Sequence, residues 1–268
     1  MSQSRWEQAQ QEERACWVQH QDKINTDTYT QKKRAFWNLL MNRIITKVSV
    51  VPGMRVLDVG CGPSGAFLSD VLSDTRLTCI DPLMNEYLDI VPSLKNEPIE
   101  WVHGGIEQYE PAKKFERIFA FNSVDHARDI SASLKQIHEL LEPDGFFILS
   151  LNCHVFASMA ALFSVANPIL DPPHPHQHTI QSYENLIEEA GFLIESVLCV
   201  DQETHWINEE TKDPASKPPS WKSVLKSYLS PQQVFFRLAG VLGYQRYGLE
   251  GEKKLYTHRV FICRLTSL

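Results

Sequence analysis

The chain has no Cys-x-x-Cys pair, no apolar run of about 20 residues and no excess of basic residues. Each absence excludes something. The six cysteines (Cys16, Cys61, Cys79, Cys153, Cys199, Cys263) are scattered, mostly in apolar strand-like runs. They read as small buried thiols, not as a disulfide framework or a zinc knuckle. Without a bilayer-length apolar segment, no membrane span is expected. The opening MSQSRWEQAQQEERACW is polar and lacks an apolar signal core, so a cytoplasmic location is expected. Lys and Arg number 26 against 33 Asp and Glu, a net charge of −7, which argues against a nucleic-acid partner. Internal repeats and low-complexity tracts are also missing. What remains is 268 residues with 43% hydrophobic and 22% charged content, enough for one large domain or one domain with an insertion.

Residues 4–22 read as a helix with an apolar stripe through Trp6, Ala9, Ala15 and Cys16. Residues 29–48 give a second, with Phe36, Leu39, Leu40, Ile44 and Ile45 at helical spacing. Pro52-Gly53 is a turn signal. Beyond it, strand-length apolar runs (Met54–Gly60, Arg76–Asp81, Ile99–His103, Arg117–Asn122, Phe146–Leu151) alternate with helical patterns at 65–73, 83–91 and 129–141. Such alternation predicts an α/β fold with a mostly parallel sheet and helices on both faces. Residues 154–166 are apolar almost all round and suit core, dimer face or pocket wall. A loop rich in proline and histidine follows at 167–178. Thr179 or Ser182 caps a helix ending near Gly191. Phe192–Val200 and Leu255–Leu265 read as strands. Between them lies an insertion with an N-cap and N1 signal at Ser230-Pro231 and apolar Val234, Phe235, Leu238, Val241 and Leu242. The expected organisation is an N-terminal helical cap (1–48), a nucleoside-binding core (49–202), a helical insertion or lid (203–252) with Trp206, Trp221 and Tyr228 suited to a lid or interface, and a final core strand (253–268).

The stretch VLDVGCGPSG (56–65) carries Gly60-x-Gly62-x-x-Gly65 straight after a strand signal, which is the spacing of a dinucleotide-binding turn. Two residues oppose a pyrophosphate. Pro63 removes one of the N–H donors that phosphates need, and Asp58 adds a like charge. S-adenosylmethionine (SAM) carries a sulfonium and an ammonium, which an acid beneath the turn attracts. Asp81, at the end of the next strand, suits a ribose diol and serves either ligand. Gly105-Ile106-Glu107 follows the third strand, where Ile106 can lie on an adenine face and Glu107 accept from its amino group. Asn122-Ser123-Val124-Asp125-His126 stands at the carboxyl edge of the sheet, where ligands bind in such folds.

In combination, VLDVGCGPSG (56–65), CIDP (79–82), GGIE (104–107), FNSVDHARD (121–129) and LLEPDGFFILSL (140–151) resemble the class I SAM-dependent methyltransferases over roughly residues 50–200. The resemblance implies a doubly wound, Rossmann-like, seven-stranded sheet whose last strand runs antiparallel. It also implies SAM as cofactor, held by Asp58, Gly60, Cys61, Gly62 and Ser64 in the turn, by Asp81, Pro82 and Leu83, by Gly105, Ile106 and Glu107, and by Asn122 and Ser123. The spacing W-x-x-A-Q-x-x-E-x-x-x-W from Trp6 to Trp17 looks like the lead-in of small-molecule methyltransferases of bacterial secondary or surface-sugar metabolism. Amino-methylating enzymes that act on bases show [DN]-P-P-[YFW] at the fourth strand. Here Asn122 is followed by Ser123-Val124, and no cysteine there offers a nucleophile for pyrimidine carbon-5 chemistry. A small-molecule acceptor, methylated on oxygen or nitrogen by a monomer or homodimer, is therefore expected. An NAD-type oxidoreductase and a SAM-binding scaffold without activity are the competing readings.

His126, with Asp125, is the candidate base for the acceptor's proton, although orienting the ligand or holding a loop would equally use it. His154, His174 and His176 are candidate acceptor contacts. The alternating His174, His176 and His178 invite a metal reading. No cysteine or acid cluster joins them beyond Asp171, and methyl transfer needs no metal, so no metal site is expected.

Overall fold

Val56 and Leu57 are both fully buried, yet they belong to different hydrophobic clusters on opposite faces of one sheet. The same period-two alternation continues in the next strands, which places the helices. The computed structural model describes residues 3–171, 174–210, 230–249 and 251–266. The parallel strands are β1 (Arg55–Val59), β2 (Arg76–Asp81), β3 (Glu100–His103), β4 (Phe115–Phe121) and β5 (Leu141–His154). After them come β6 (Phe192–Cys199), the three-residue β7 (Gln245–Tyr247) and β8 (Lys254–Leu265). The sheet order is β3-β2-β1-β4-β5-β8-β6, and β8 runs antiparallel to both of its long neighbours. Among the described residues the sheet has eight strands rather than seven, because β7 pairs with β8 off the main path.

On one face, Phe36, Leu40, Met41 and Ile44 of helix α3 (Asp27–Ile44) pack on Val56, Cys79, Phe119 and Ile148. On the other, Ile130, Leu134 and Ile137 of α5 (Ile130–Leu140) and Tyr183 and Ile187 of α7 (Ile180–Glu189) cover Leu57, Ile118, Leu149 and Phe261. The caps are local. Asp129 Oδ1 accepts from Ala132 N–H at α5, and Thr179 Oγ1 from Ser182 N–H at α7. Short helices α2 (Gln21–Ile24) and α4 (Met84–Ile90) complete the first half. A smaller cluster of Ala239, Leu255 and Tyr256 joins α6 (Ala157–Leu170), α9 (Pro231–Val241) and β8, while α8 (Asp201–Glu210) follows β6. Ser230 caps α9 as expected, with Pro231 at N1.

Several expectations change. Residues 65–73 are not a helix. The chain makes separate 3-10 turns at Gly62–Ser64, Ala66–Leu68 and Asp70–Leu72. Gly65 and Ser69 are extended between them, and Asn38 of α3 bonds Ser69 Oγ, Asp70 N–H and Asp70 Oδ2, an alternative to helical pairing. In α1 (Gln3–Gln19) the inward face is Trp6, Ala9, Gln10, Glu13 and Trp17, while Ala15 and Cys16 are exposed. Leu39 and Ile45 of the second predicted helix also face outward. The fifth predicted strand starts earlier than Phe146: Pro143–Gly145 lies inside β5 as a bulge, the pairing stepping from Phe115 with Leu141 to Arg117 with Phe146. Helix α6 buries Phe163 but exposes Val165 and Ile169. Helix α9 turns Phe235 and Phe236 inward and leaves Leu238 and Val241 outward. Trp206 packs against the core, whereas Trp221 and Tyr228 lie outside the described residues. All six cysteines are free, and no described helix is long and apolar enough to cross a membrane.

Candidate functional site

Two glycines of the turn after β1 are required by close packing. Gly60 has φ +64, and a Cβ there would meet Ser123 Cβ at 2.3 Å. At Gly65 the added carbon would reach the Cys61 carbonyl oxygen at 2.2 Å. The turn is therefore packed between the end of β4 and its own backbone, with no α-helix N-terminus behind it to attract an anion.

Acids surround this turn instead. Asp81 Oδ2 accepts from Gly62 N–H at 3.1 Å and its Oδ1 from Leu83 N–H at 2.8 Å. Burial pushes the Asp81 carboxyl up to about 7, and the charge of Glu13 adds to the rise against those two N–H bonds. Asp58 lies beneath the turn, 1% exposed. Burial takes it to about 7 as well, opposed by the N–H groups of Phe67 and Ala66, while Asp81 adds to it. Asp58 Oδ2 is buried with no hydrogen-bond partner. Two carboxyls held near 7 beside a third acid make a site arranged for positive charge.

The cleft has two connected parts at the carboxyl ends of the strands, sharing Glu13, Gly60 and Asn122. The narrower is lined by Asp81, Pro82, Gly105, Ile106, Glu107, Ser123 and His126, and is roofed by Trp6, Gln10 and Glu13 of α1. Glu107 Oε1 accepts from Asp129 N–H at 3.4 Å. The wider part, about 340 Å³, reaches Asp58, Cys61, Gly62 and Ser64, then Trp37, Asn152, Ile207 and Tyr247. Asn122, on the rim of both, has φ 49 and is the one non-glycine with positive φ among the described residues. Such strained backbone collects at functional sites.

The floor of the wider part holds a chain of three side chains, with Ser150 and His258 buried and Thr204 half-buried. Ser150 Oγ and Thr204 Oγ1 each lie 2.5 Å from a nitrogen of His258. Thr204 Oγ1 donates to the Val200 carbonyl, so it accepts from His258 Nδ1–H, and Nε2 accepts from Ser150. Burial pushes His258 down to about 4, which keeps it neutral. Ser150 thus spends its proton on His258 and turns only lone pairs to the cleft.

The fold gathers most of the expected residues along the cleft, while Asp125, His174 and His176 line a small void beside it and two others stand apart. Leu83 is core, reaching the site only through its N–H bond to Asp81. His154 is buried between Phe163 and Tyr256, with Nε2 2.7 Å from Gln177 Oε1, and lines none of the cavities described here. His126 Nδ1 lies 3.6 Å from Glu13 Oε2, and its ring centroid is 4.5 Å from that of His174. His174 Nδ1 is 2.9 Å from Asp171 Oδ1; burial opposes protonation there, but the Asp171 bond and charge outweigh it and raise the histidine. His176 ties the loop down, its N–H donating to the Asp125 carbonyl and its Nε2 bonding the Ala127 carbonyl. Asp125, His126 and His174 each bring a ligand atom within 4.8 Å of the others. Sequence reasoning missed Gln10 and Glu13. Their signal was the spacing 6, 10, 13, 17, which a search for apolar residues alone passes over.

The methyltransferase-domain family model matches residues 30–197. A ubiquinone biosynthesis O-methyltransferase of Bradyrhizobium diazoefficiens is 22% identical over 166 residues, 60% of this chain and 65% of that protein. Matches to other curated relatives span as little as 30% of their length. Among solved structures, a Haemonchus contortus phosphoethanolamine N-methyltransferase 2 in complex with phosphomonomethylethanolamine and S-adenosylhomocysteine superposes with TM-score 0.60 at 14% identity, covering 92% of this chain and 59% of that one. A [4+2]-cyclase superposes with TM-score 0.62 at 15% identity, covering 86% and 82%, so the fold by itself does not name a reaction. With the family model spanning more than half its length, the chain belongs to the methyltransferase-domain family and has the class I, Rossmann-like architecture.

Proposed function

We propose that this protein moves a methyl group from SAM to an oxygen or nitrogen of a small-molecule acceptor and releases S-adenosylhomocysteine. The observation that carries the reading is the convergence of Asp58, Asp81 and Glu13 on the glycine turn, with Asp58 Oδ2 buried and unpartnered. A sulfonium and an ammonium supply the missing positive charge, whereas a pyrophosphate would meet three acids and a turn without a helix dipole. In this reading Asp58 and the Gly60–Gly62 backbone face the methionine part. Asp81 receives the ribose hydroxyls on its remaining lone pairs, and Ile106 and Glu107 border the adenine. Trp6, Gln10 and Glu13 cover the donor and exclude water.

The sulfonium already activates the methyl, so the chain's contribution is alignment of the acceptor with the C–S bond. Asn122, Ser123 and His126 border that position, with His126 as the group that takes or orients the acceptor's proton. The relatives' O- and N-methyltransferase names support an oxygen or nitrogen acceptor as a class. Calorimetry with SAM and with NAD tests the donor. SAM binding followed by release of S-adenosylhomocysteine with an acceptor library supports the reading; NAD binding without SAM binding sinks it.

A further inference from the structure

Asp125 and His126 come from the turn after β4, and His174 from the loop before α7. Two bonds from His176 pin that loop to residues 125–127. Asp125 is 3% exposed, and its Oδ1 is buried without a hydrogen-bond partner. A carboxylate oxygen left so is costly unless a cation answers it. His174 turns Nδ1 to Asp171 Oδ1 at 2.9 Å, while His126 Nδ1 is buried with no hydrogen-bond partner, 3.6 Å from Glu13 Oε2. The Asp171 pairing is how an outer carboxylate holds a metal-binding histidine: it fixes the proton on Nδ1 and makes Nε2 of His174 the ligating nitrogen. The two rings stand at 61° to each other, so their edges can converge. Asp125 and His174 also border a void of about 10 Å³ with Asp171, Asn152 and Gln177 around it, while His126 lines the adjoining cleft.

We propose that Asp125, His126 and His174 hold a divalent first-row transition ion, with Asp171 positioning the His174 imidazole. Two imidazoles and one carboxylate suit Mn²⁺, Fe²⁺, Co²⁺ or Zn²⁺ better than Mg²⁺ or Ca²⁺, which take oxygen ligands. Three protein ligands leave coordination positions open, and of the three His126 lines the cleft. Use of those positions to hold an oxygen of the acceptor rests on the methyl-transfer reading; binding of the ion does not. An ion on His126 would also replace its role as a free base.

The test uses the full chain, stripped with a chelator and titrated with Co²⁺ alone. One equivalent should bind with visible d–d absorption and be displaced by Zn²⁺. Asp125→Asn and His174→Gln should each abolish the band, and Asp171→Asn should weaken binding about 10–100-fold. Circular dichroism checks folding of the variants. Paramagnetic broadening of the His126 and His174 imidazole resonances reads the same site in the wild-type chain. No band in the wild type, or a band that survives both ligand substitutions, overturns the proposal. SAM calorimetry on the same samples keeps the two readings separate, since lost SAM binding with an intact Co²⁺ band fails only the methyl-transfer reading. Methyl transfer that ignores the chelator in a chain that takes up no Co²⁺ returns His126 to the base role.

Discussion

Asp58 and Asp81 trade stability for ligand binding. Their carboxyls sit near 7 in the fold against 3.8 as ordinary side chains. A raised folded value means the stabilisation is complete below 3.8 and is lost as pH rises through 7. The free protein should therefore lose stability between pH 4 and 7 from these two groups. Asp58→Asn should raise the pH 8 melting temperature and flatten that slope, yet weaken SAM binding. For the ligand the sign reverses. A bound cation favours the ionised acids, so SAM affinity should climb from pH 6 to pH 8, as calorimetry across that range would read. Asp81→Asn should cost about 10–100-fold in SAM affinity, the value of one charged hydrogen-bonding group. Gly60→Ala should cost at least about 1–2 kcal/mol in urea unfolding for its left-handed backbone alone. Adding Ser123→Gly should recover the part due to the clash and leave the backbone part. At this scale the donor's charge was legible, because Asp58 and Pro63 sit inside the motif. Glu13 was not legible as a site residue: nothing in a helix stripe says which sheet edge it will cover.

Helix α1 behaves as a roof, with one face, Trp6 to Trp17, turned to the cleft. Hydrogen exchange across residues 3–19 should slow when SAM is added and stay unchanged with NAD. Exchange that is indifferent to SAM would remove α1 from the site. The strands and the long helices were legible because their apolar residues repeat at the period of the element and the caps are local. The segment after Gly65 was not, because its fate depends on Asn38 and Arg34 of α3, which bond Ser69 and Asp70. Half of the apolar residues of α6 and α9 point outward for a related reason: helical spacing shows that a face exists, not what meets it.

The chain as a whole should gain stability from its donor by mass action. At 100 times Kd the gain is about 2.7 kcal/mol, or a melting shift on the order of 5–10 °C, with none from NAD. The sheet order was legible only through the family resemblance. Strand lengths and alternation say parallel, but not that β8 enters between β5 and β6. That placement has a consequence for how the molecule is made. β5 and β6 have no pairing with each other and meet only through β8. Until residues 254–265 arrive, each presents an open, largely apolar edge to any other nascent chain. A chain ended at Glu252 should therefore aggregate rather than fold with reduced activity, because the stretch made after the two strands it joins is the keystone of the sheet.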